Sequence, residues 1–425
     1  MNIREQKGKD IAARLKIQRK DNHWIVPSQT GNGKYTVNLE GKEPHCTCPD
    51  FELRGLKCKH IYAVEYTIKS ETDHENGTTT VTTTVTKTTR VTYKQDWPMY
   101  NEAQTNEKKH FQALLYDLCR GIEEPPQNMG RPHQSLRDML FSMAFKVYAA
   151  VSTRRFNGDL EEAHAKGYLT SVPHFNTIVK YFDDASLTPL LRDLIRESSL
   201  CLKAVDVDFA VDSSGFSTSR YVRWYNARYG HEQDNHDWMK VHLMCGVKTN
   251  IVTSVEITGR FAHDSPQFKP LMKTTARNFR IREVDADKAY SSKENLELTV
   301  KHNAIPYVPF KARTTGEPGG SPLWEKLWHF YQYNPETFLT HYHKRSNAES
   351  TMWMIKSKFD EHIRNKTDEG TVNELYCKVL CHNICVVIQS MYELGIEPAF
   401  WAKSDTVKVE PTLCAEMPVA HKVPV

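Results

Sequence analysis

The stretch Tyr342-His343-Lys344-Arg345-Ser346-Asn347-Ala348-Glu349-Ser350-Thr351-Met352-Trp353-Met354-Ile355-Lys356 governs how the rest of the chain is read. If it is helical, successive residues advance about 100° around the axis, so Arg345, Glu349 and Lys356 fall within about 60° of Tyr342. One face gathers a phenol, a guanidinium, a carboxylate and an ammonium. The neighbouring face carries Ala348, Met352, Ile355 and Phe359, the stripe with which a helix packs onto a sheet. A carboxylate flanked by cations can hold a divalent metal and grip a polyanion beside it. A solvated, salt-bridged helix face carries the same charges, and what separates the two readings lies upstream.

Two acidic positions stand there. Ala204-Val205-Asp206-Val207-Asp208-Phe209-Ala210-Val211-Asp212 alternates apolar and polar like a strand, and Ser213-Ser214-Gly215 then predicts a turn that leaves Asp212 at the strand end. Arg282-Glu283-Val284-Asp285-Ala286-Asp287 is a second short strand, and Ser291-Ser292 after it is a good cap for a helix starting near Ser292. Asp287 again falls at a strand end. Asp206 and Asp208 share the facing of Asp212, and Asp285 competes with Asp287; the turn after Asp212 favours that residue.

An Asp in Val-Asp-Ser-Ser-Gly-Phe, an Asp in Ala-Asp-Lys-Ala-Tyr-Ser-Ser, and Tyr342, Arg345, Glu349 and Lys356 in the spacing Tyr-x2-Arg-x3-Glu-x6-Lys resemble the insertion-sequence transposases of the DDE, ribonuclease-H-like type that carry a Tyr-Arg-Glu-Lys signature. The likeness covers roughly residues 204–390. It implies an α/β fold with a ribonuclease-H-like mixed-sheet core over residues 201–396, in which Asp212, Asp287 and Glu349 hold two magnesium or manganese ions. It also implies that Tyr342, Arg345 and Lys356 grip DNA near the cleaved end. The order of elements fits that expectation: strands over 237–247 and 251–257 joined by a turn at Thr249-Asn250, a helix over 264–278, the Asp287 strand, a helix over 292–302 and a strand over 304–310. The short stretch between Asp287 and Glu349 leaves no room for an inserted domain, and residues 313–333 read as a loop or small insertion whose Trp324 and Trp328 either pack in the core or lie on DNA.

The first domain, residues 1–70, is built on metal. Cys46-Thr47-Cys48 and Cys58-Lys59-His60 each present two ligands on one side of an extended segment. Three thiolates and one imidazole make a closed tetrahedral zinc site with no position left for substrate, a structural centre. Trp24-Ile25-Val26 and Tyr35-Thr36-Val37-Asn38-Leu39 around Gly31-Asn32-Gly33 predict a hairpin, and Ile61, Val64 and Ile68 a short helix. The block resembles a SWIM-type zinc finger, a module associated with DNA or protein binding, for which Lys42, Arg54, Lys57 and Lys59 supply a modest basic patch.

Residues 71–96, with Thr78-Thr79-Thr80-Val81-Thr82-Thr83-Thr84-Val85, form a linker of low complexity. From 97 to 200 the period is helical, with Phe111, Leu114, Leu115 and Leu118 on one helix and Leu136, Met139, Leu140, Met143 and Val147 on another. Ser171-Val172-Pro173 predicts a third helix start. With Arg154, Arg155, Lys166, His174 and Lys180 nearby, this region resembles the end-recognition segment of such transposases, although a basic exposed helix face has the same composition. Residues 397–425, rich in proline, read as a loosely ordered tail.

Composition bounds the rest. A net charge of +4 is too small for a global field, so nucleic-acid binding has to come from local patches. Ten irregularly placed cysteines read as thiols and metal ligands rather than a disulfide framework. Cys377, Cys381 and Cys385 with His382 have helical spacing, and buried thiols on a packing helix account for them better than a second metal site. Residues 1–20 hold no apolar core of a signal peptide, and residues 379–396 are broken by His382, Asn383, Gln389 and Glu393. The expectation is a cytoplasmic protein, nucleoid-associated, acting on double-stranded DNA at element ends and target as a homodimer, with no membrane partner. Three functions fit: transposition, metal-dependent DNA cleavage without transposition, and zinc-dependent DNA or protein binding by a transposase-derived chain that has lost its chemistry.

Overall fold

The structure is a computed structural model that describes residues 3–20, 23–28, 33–39, 44–52, 55–75, 96–126, 134–218, 238–311, 314–317 and 319–401. The Thr-rich stretch, the Gly31-Asn32 turn, Lys42, Arg54 and residues 402–425 lie outside them. The chain divides into two compact units, Met1–Lys94 and Gln95–Val425.

In the first unit, helix α1 (Ile3–Arg14) precedes strands β1 (Gln18–Lys20), β2 (His23–Pro27), β3 (Lys34–Asn38) and β4 (His45–Cys46), followed by α2 (Pro49–Glu52) and α3 (Lys59–Glu75). The expected hairpin pairs Trp24 with Val37 and Val26 with Tyr35 in an antiparallel sheet of order β1-β2-β3-β4. Alternation on β2 turns Trp24 and Val26 inward, where they meet Val37, Ile11, Ile61 and Val64 around the three cysteines. Helix α1 carries little sequence signal, because few of its residues are apolar. It packs on α3 at Gly8, where a Cβ would stand 2.5 Å from the Cβ of Tyr62, so only glycine fits.

The second unit begins with α4 (Trp97–Cys119), α5 (Leu136–Ala149), α6 (Asn157–Ala165), α7 (Phe175–Phe182) and α8 (Leu187–Leu200). Asp96 caps α4 through Met99 N, with Pro98 in the first turn, and Ser135 caps α5 through Asp138 N. The third helix starts later than its proline suggested. His174 takes the cap by accepting from Asn176 N at 3.3 Å, so Pro173 lies ahead of the helix.

Strands β5 (Asp208–Ser217), β6 (Trp238–Gly246) and β7 (Val252–Gly259) form an antiparallel meander. After α9 (Phe268–Ala276) come β8 (Glu283–Ala286), α10 (Lys293–Lys301) capped by Ser292, and β9 (Ile305–Tyr307). Strand β8 runs parallel to β5 and β9 parallel to β8, giving the order β7-β6-β5-β8-β9. Three antiparallel strands followed by two parallel to the first is the ribonuclease-H-like arrangement expected. One difference concerns β5, which does not turn after Asp212 but continues through Ser217, paired with β6 throughout. Gly215 makes this possible, because a Cβ there would sit 2.7 Å from the Trp238 ring.

The chain then forms α11 (Pro322–Tyr333), α12 (Pro335–Tyr342), a tight turn His343–Arg345, α13 (Ser346–Phe359) and α14 (Asp368–Leu394). Most of the expected loop over 313–333 is thus helical. Leu323, Trp324, Leu327, Trp328 and Tyr331 pack against one core cluster, and the indole N–H groups of Trp324 and Trp328 donate to the carbonyls of Thr315 and Thr314. Both tryptophans are therefore packing residues.

Alternation on β5 separates two cores. Phe209 and Val211 face α9, α10 and α11 with Val284 and Phe268. Ala210 and Phe216 face α13, α14 and the helices of 97–200, whose Phe111, Leu140, Phe145 and Leu191 belong to the same cluster. The helical region shares its core with the sheet. Phe400 and Trp401 join it too: Trp401 donates from its indole to Leu118 O at 2.7 Å, so packed structure runs past the point where the tail was expected to loosen. Within α14, Cys377 and Cys381 are fully buried, and His382 donates to Asn250 O at 2.9 Å. Among the described residues no helix is long and apolar enough to cross a membrane.

Candidate active site and zinc centre

The register of β5 and β8 places the two aspartates. Val211 pairs with Ala286, so Asp212 and Asp287, one residue further on each strand, stand level on neighbouring parallel strands. Asp287 follows the last residue of β8 and accepts from Lys288 N at 2.7 Å. Asp212 accepts from Ser213 N at 2.8 Å. Burial pushes its carboxyl up from the ordinary value, and the charges of Glu349 and Asp287 add to that rise against the pull of Arg345. These three carboxylates and the guanidinium therefore act on one another across one site.

Helix α13 brings the third acid. Ala348, Met352, Ile355 and Phe359 are buried against the sheet as the periodicity required. Arg345 donates to Asp212 Oδ2 at 3.1 Å and to Glu349 Oε1 at 2.6 Å. Lys356 donates to Ser214 Oγ at 2.8 Å, and Phe216 lies beneath its ammonium at 5.0 Å; burial lowers its pKa. Tyr342 differs from expectation in that it ends α12, and the turn His343–Arg345 separates it from α13. It still reaches the group, with the Arg345 guanidinium 5.7 Å from its ring. Tyr342, Arg345, Glu349 and Lys356 are thus gathered along β5, Glu349 with 55% of its side chain exposed.

The rival acids resolve by their partners. Asp206 accepts from Lys248 N at 2.8 Å and ties down the β6–β7 turn. Asp208 pairs with Arg282 and Lys344. Asp285 is fully buried with neither carboxylate oxygen hydrogen-bonded, and its carboxyl is pushed up to about 8, mainly by that burial. Of the five, Asp212 is the one that Arg345 joins to Glu349, and Asp287 stands level with it. Asp264, read from the sequence only as a helix start, instead accepts from Ser213 Oγ at 3.1 Å and pairs with Lys240 at 2.5 Å. A polar residue before Ser-Pro gives no hint of such a role. Beside Asp287 a cleft of about 690 Å³ is lined by Lys240, His263, Lys288 and Lys311. Trp353 of α13 stands 69% exposed, between Glu349 and Lys356 in sequence.

In the first unit, Cys46, Cys48, Cys58 and His60 bring their ligand atoms within 4.8 Å of one another, all buried. His60 Nδ1 lies 3.9 Å from the sulfur of Cys46 and of Cys58. Bonds of about 2.0–2.3 Å to one tetrahedral zinc ion put such atoms about 3.5–3.8 Å apart, so the four residues fit zinc with little movement. A hydrogen bond from Cys46 is the largest influence drawing the Cys58 thiol down to about 4, and Cys46 is raised in turn.

Known families match in both units. Residues 203–384 match the family described as Transposase DDE domain, and residues 35–69 match the SWIM zinc finger. No curated protein and no solved structure gives a significant match to the chain.

Proposed function

We propose that this chain cleaves DNA at the ends of a mobile element and joins the freed ends to target DNA, with Asp212, Asp287 and Glu349 as its metal-binding carboxylates. The observation that carries this reading is the level placement of Asp212 and Asp287 on adjacent parallel strands, with Glu349 delivered beside them by a helix clamped to Asp212 through Arg345. The donor set is all oxygen, which suits magnesium or manganese. A guanidinium drawn onto two of the three carboxylates is what a concentrated negative site attracts. When bound, two such ions would make an attacking oxygen more nucleophilic and neutralise the leaving oxyanion.

The chain's own residues do the rest. Arg345, Tyr342 and Lys356 offer donors to the phosphates of a strand held along β5. Lys288 and Lys311, in the cleft beside Asp287 where Lys240 is paired with Asp264, offer a second basic path for the other strand. Two ends have to be processed together, so the working form is a homodimer. The zinc finger adds a separate, metal-folded surface for DNA or protein.

Inverted repeats in the DNA flanking the reading frame would supply the end sequence for an assay. Asp212→Ala is expected to abolish nicking of a plasmid carrying those ends while a gel shift with the same DNA persists. Undiminished nicking by this variant would remove Asp212 from the site.

A further inference from the structure

Two pairs of carboxylates stack on one face of the central sheet. Asp208 pairs in register with Glu283, and four residues further along both strands Asp212 is level with Asp287. Residues four apart on a strand share a face, and at about 3.3 Å per residue the two pairs lie about 13 Å apart. The upper pair is the one assigned above to metal. The lower pair already holds a cation of the chain: Lys344 Nζ lies 2.9 Å from Asp208 Oδ2 and also pairs with Glu283.

The lower pair is heavily built. Glu283 is 2% exposed. His341 Nδ1 lies 2.6 Å from its other oxygen, and the His341 ring stacks on Tyr307 at 4.3 Å with the planes 2° apart. Arg282 holds Asp208 from the far side at 2.7 and 2.5 Å. A buried carboxylate held on one oxygen by a lysine and on the other by an imidazole is a fixed point on the sheet. Lys344 ties that point to the turn His343–Arg345, and the next residue in the chain is the arginine that reaches Asp212 and Glu349.

We propose that Lys344 is a positioning residue. Its ammonium, seated between Asp208 and Glu283, fixes the turn ahead of α13 on the sheet and so sets where Arg345 and Glu349 stand relative to Asp212 and Asp287. This rests on the reading of the upper carboxylates as metal ligands. The lower pair is a reference point for the upper one: Lys344 and Arg345 are consecutive in the chain, so seating the first on the lower pair limits where the second can reach the upper pair. Lys344 itself touches neither DNA nor metal.

The test measures Mn2+ binding directly, by calorimetry on the DNA-free protein, beside nicking and thermal melting. Lys344→Met is expected to weaken Mn2+ binding about tenfold and nicking at least as much, and Lys344→Arg to recover most of both. Because Lys344→Met leaves Glu283 buried with a partner lost, the double variant Lys344→Met/Glu283→Gln removes that charge and is expected to melt near the wild-type temperature while still binding Mn2+ poorly. Wild-type Mn2+ affinity in the well-folded double variant would overturn the proposal and reduce Lys344 to a structural ion pair. If the wild type binds Mn2+ no better than Asp212→Ala does, the metal reading itself has failed, and the role of Lys344 falls with it.

Discussion

Arg345 donates to Asp212 at 3.1 Å, and with its other terminal nitrogen it holds Glu349, so one guanidinium neutralises two of the three proposed ligands. A divalent ion has to compete with it for the same oxygens. With α13 still held by Lys344 and its buried apolar stripe, Arg345→Ala is therefore expected to tighten Mn2+ binding to the DNA-free protein several-fold. The same change removes the charge proposed above to meet the substrate phosphate, and nicking should fall by about 10²–10³. Arg345→Lys should recover little, since an ammonium cannot span both carboxylates. Calorimetry and a plasmid-nicking assay read the two effects separately; weaker metal binding in Arg345→Ala would contradict the competition.

The zinc finger has a core of its own residues, Ile11, Trp24, Val26, Val37, Ile61 and Val64 around three cysteines. That is little apolar mass to hold a fold together, and structural zinc adds about 10–16 kcal/mol in small finger peptides. Chelation, or Cys58→Ser, is expected to release one zinc per chain and to open residues 3–75 to protease while the chain from residue 96 onward stays intact. Unchanged protease resistance of the first unit after zinc loss would mean that its core is sufficient alone.

Acid should destabilise the second unit through two buried histidines. Burial lowers His242 and His382 to about 4 each; His242 faces Asp264, Lys240 and Thr258, and His382 faces Asn250 O and Lys358. An unfolded histidine titrates near about 6.5. Between these values the unfolded chain binds more protons, so the stability is complete above about pH 6.5 and drains away as pH falls through 4, by up to about 3 kcal/mol per residue. His382→Gln keeps a donor for Asn250 O and should flatten that decline. Urea midpoints at pH 7.5 and 4.5 decide it: an equal acid loss in the variant would assign the effect elsewhere.

What the sequence made legible was local. The alternation around Asp212, the strand before Asp287 and the apolar stripe of α13 each lie within a few residues, and each is where the periodicity put it. The continuation of β5 past Asp212 was missed because Ser-Ser-Gly has the composition of a turn, while the glycine is there to admit the Trp238 ring. Residues whose meaning depends on distant partners left no mark. Lys344 reads as one more cation until Asp208 and Glu283 are brought beneath it, and Asn383 reads as a polar break in an apolar helix.

Asn383 is a fully buried junction: it accepts from Val252 N at 2.9 Å, donates to Val252 O at 2.8 Å, and donates again to Ile195 O and Ser198 Oγ. It thereby satisfies both backbone groups of the first residue of β7, next to the helix that crosses it. Asn383→Leu keeps the volume but strands these groups in the core, at a cost of about 2–4 kcal/mol. Urea unfolding should show a lowered midpoint at unchanged m; a midpoint within error of wild type would mean that solvent or another group takes over the bonds.

Trp353 has a different status, since its ring is 69% exposed on a helix whose apolar needs are met by Ala348, Met352, Ile355 and Phe359. On the helical wheel it lies about 40° from Glu349 and about 60° from Lys356, at the solvent edge of the site. A large apolar ring left in water beside groups suited to phosphate is placed to stack on a base of a strand entering there, which is worth about 1–3 kcal/mol per base. Trp353→Ala should therefore weaken binding of a forked or single-stranded oligonucleotide about tenfold, and Trp353→Phe much less. Blunt duplex binding and the melting temperature should barely move, because a stacked duplex offers no free base and the ring supports no core. Fluorescence anisotropy at one fixed salt concentration makes the comparison, and an equal loss on blunt and forked DNA would point to a general packing or electrostatic effect instead of stacking.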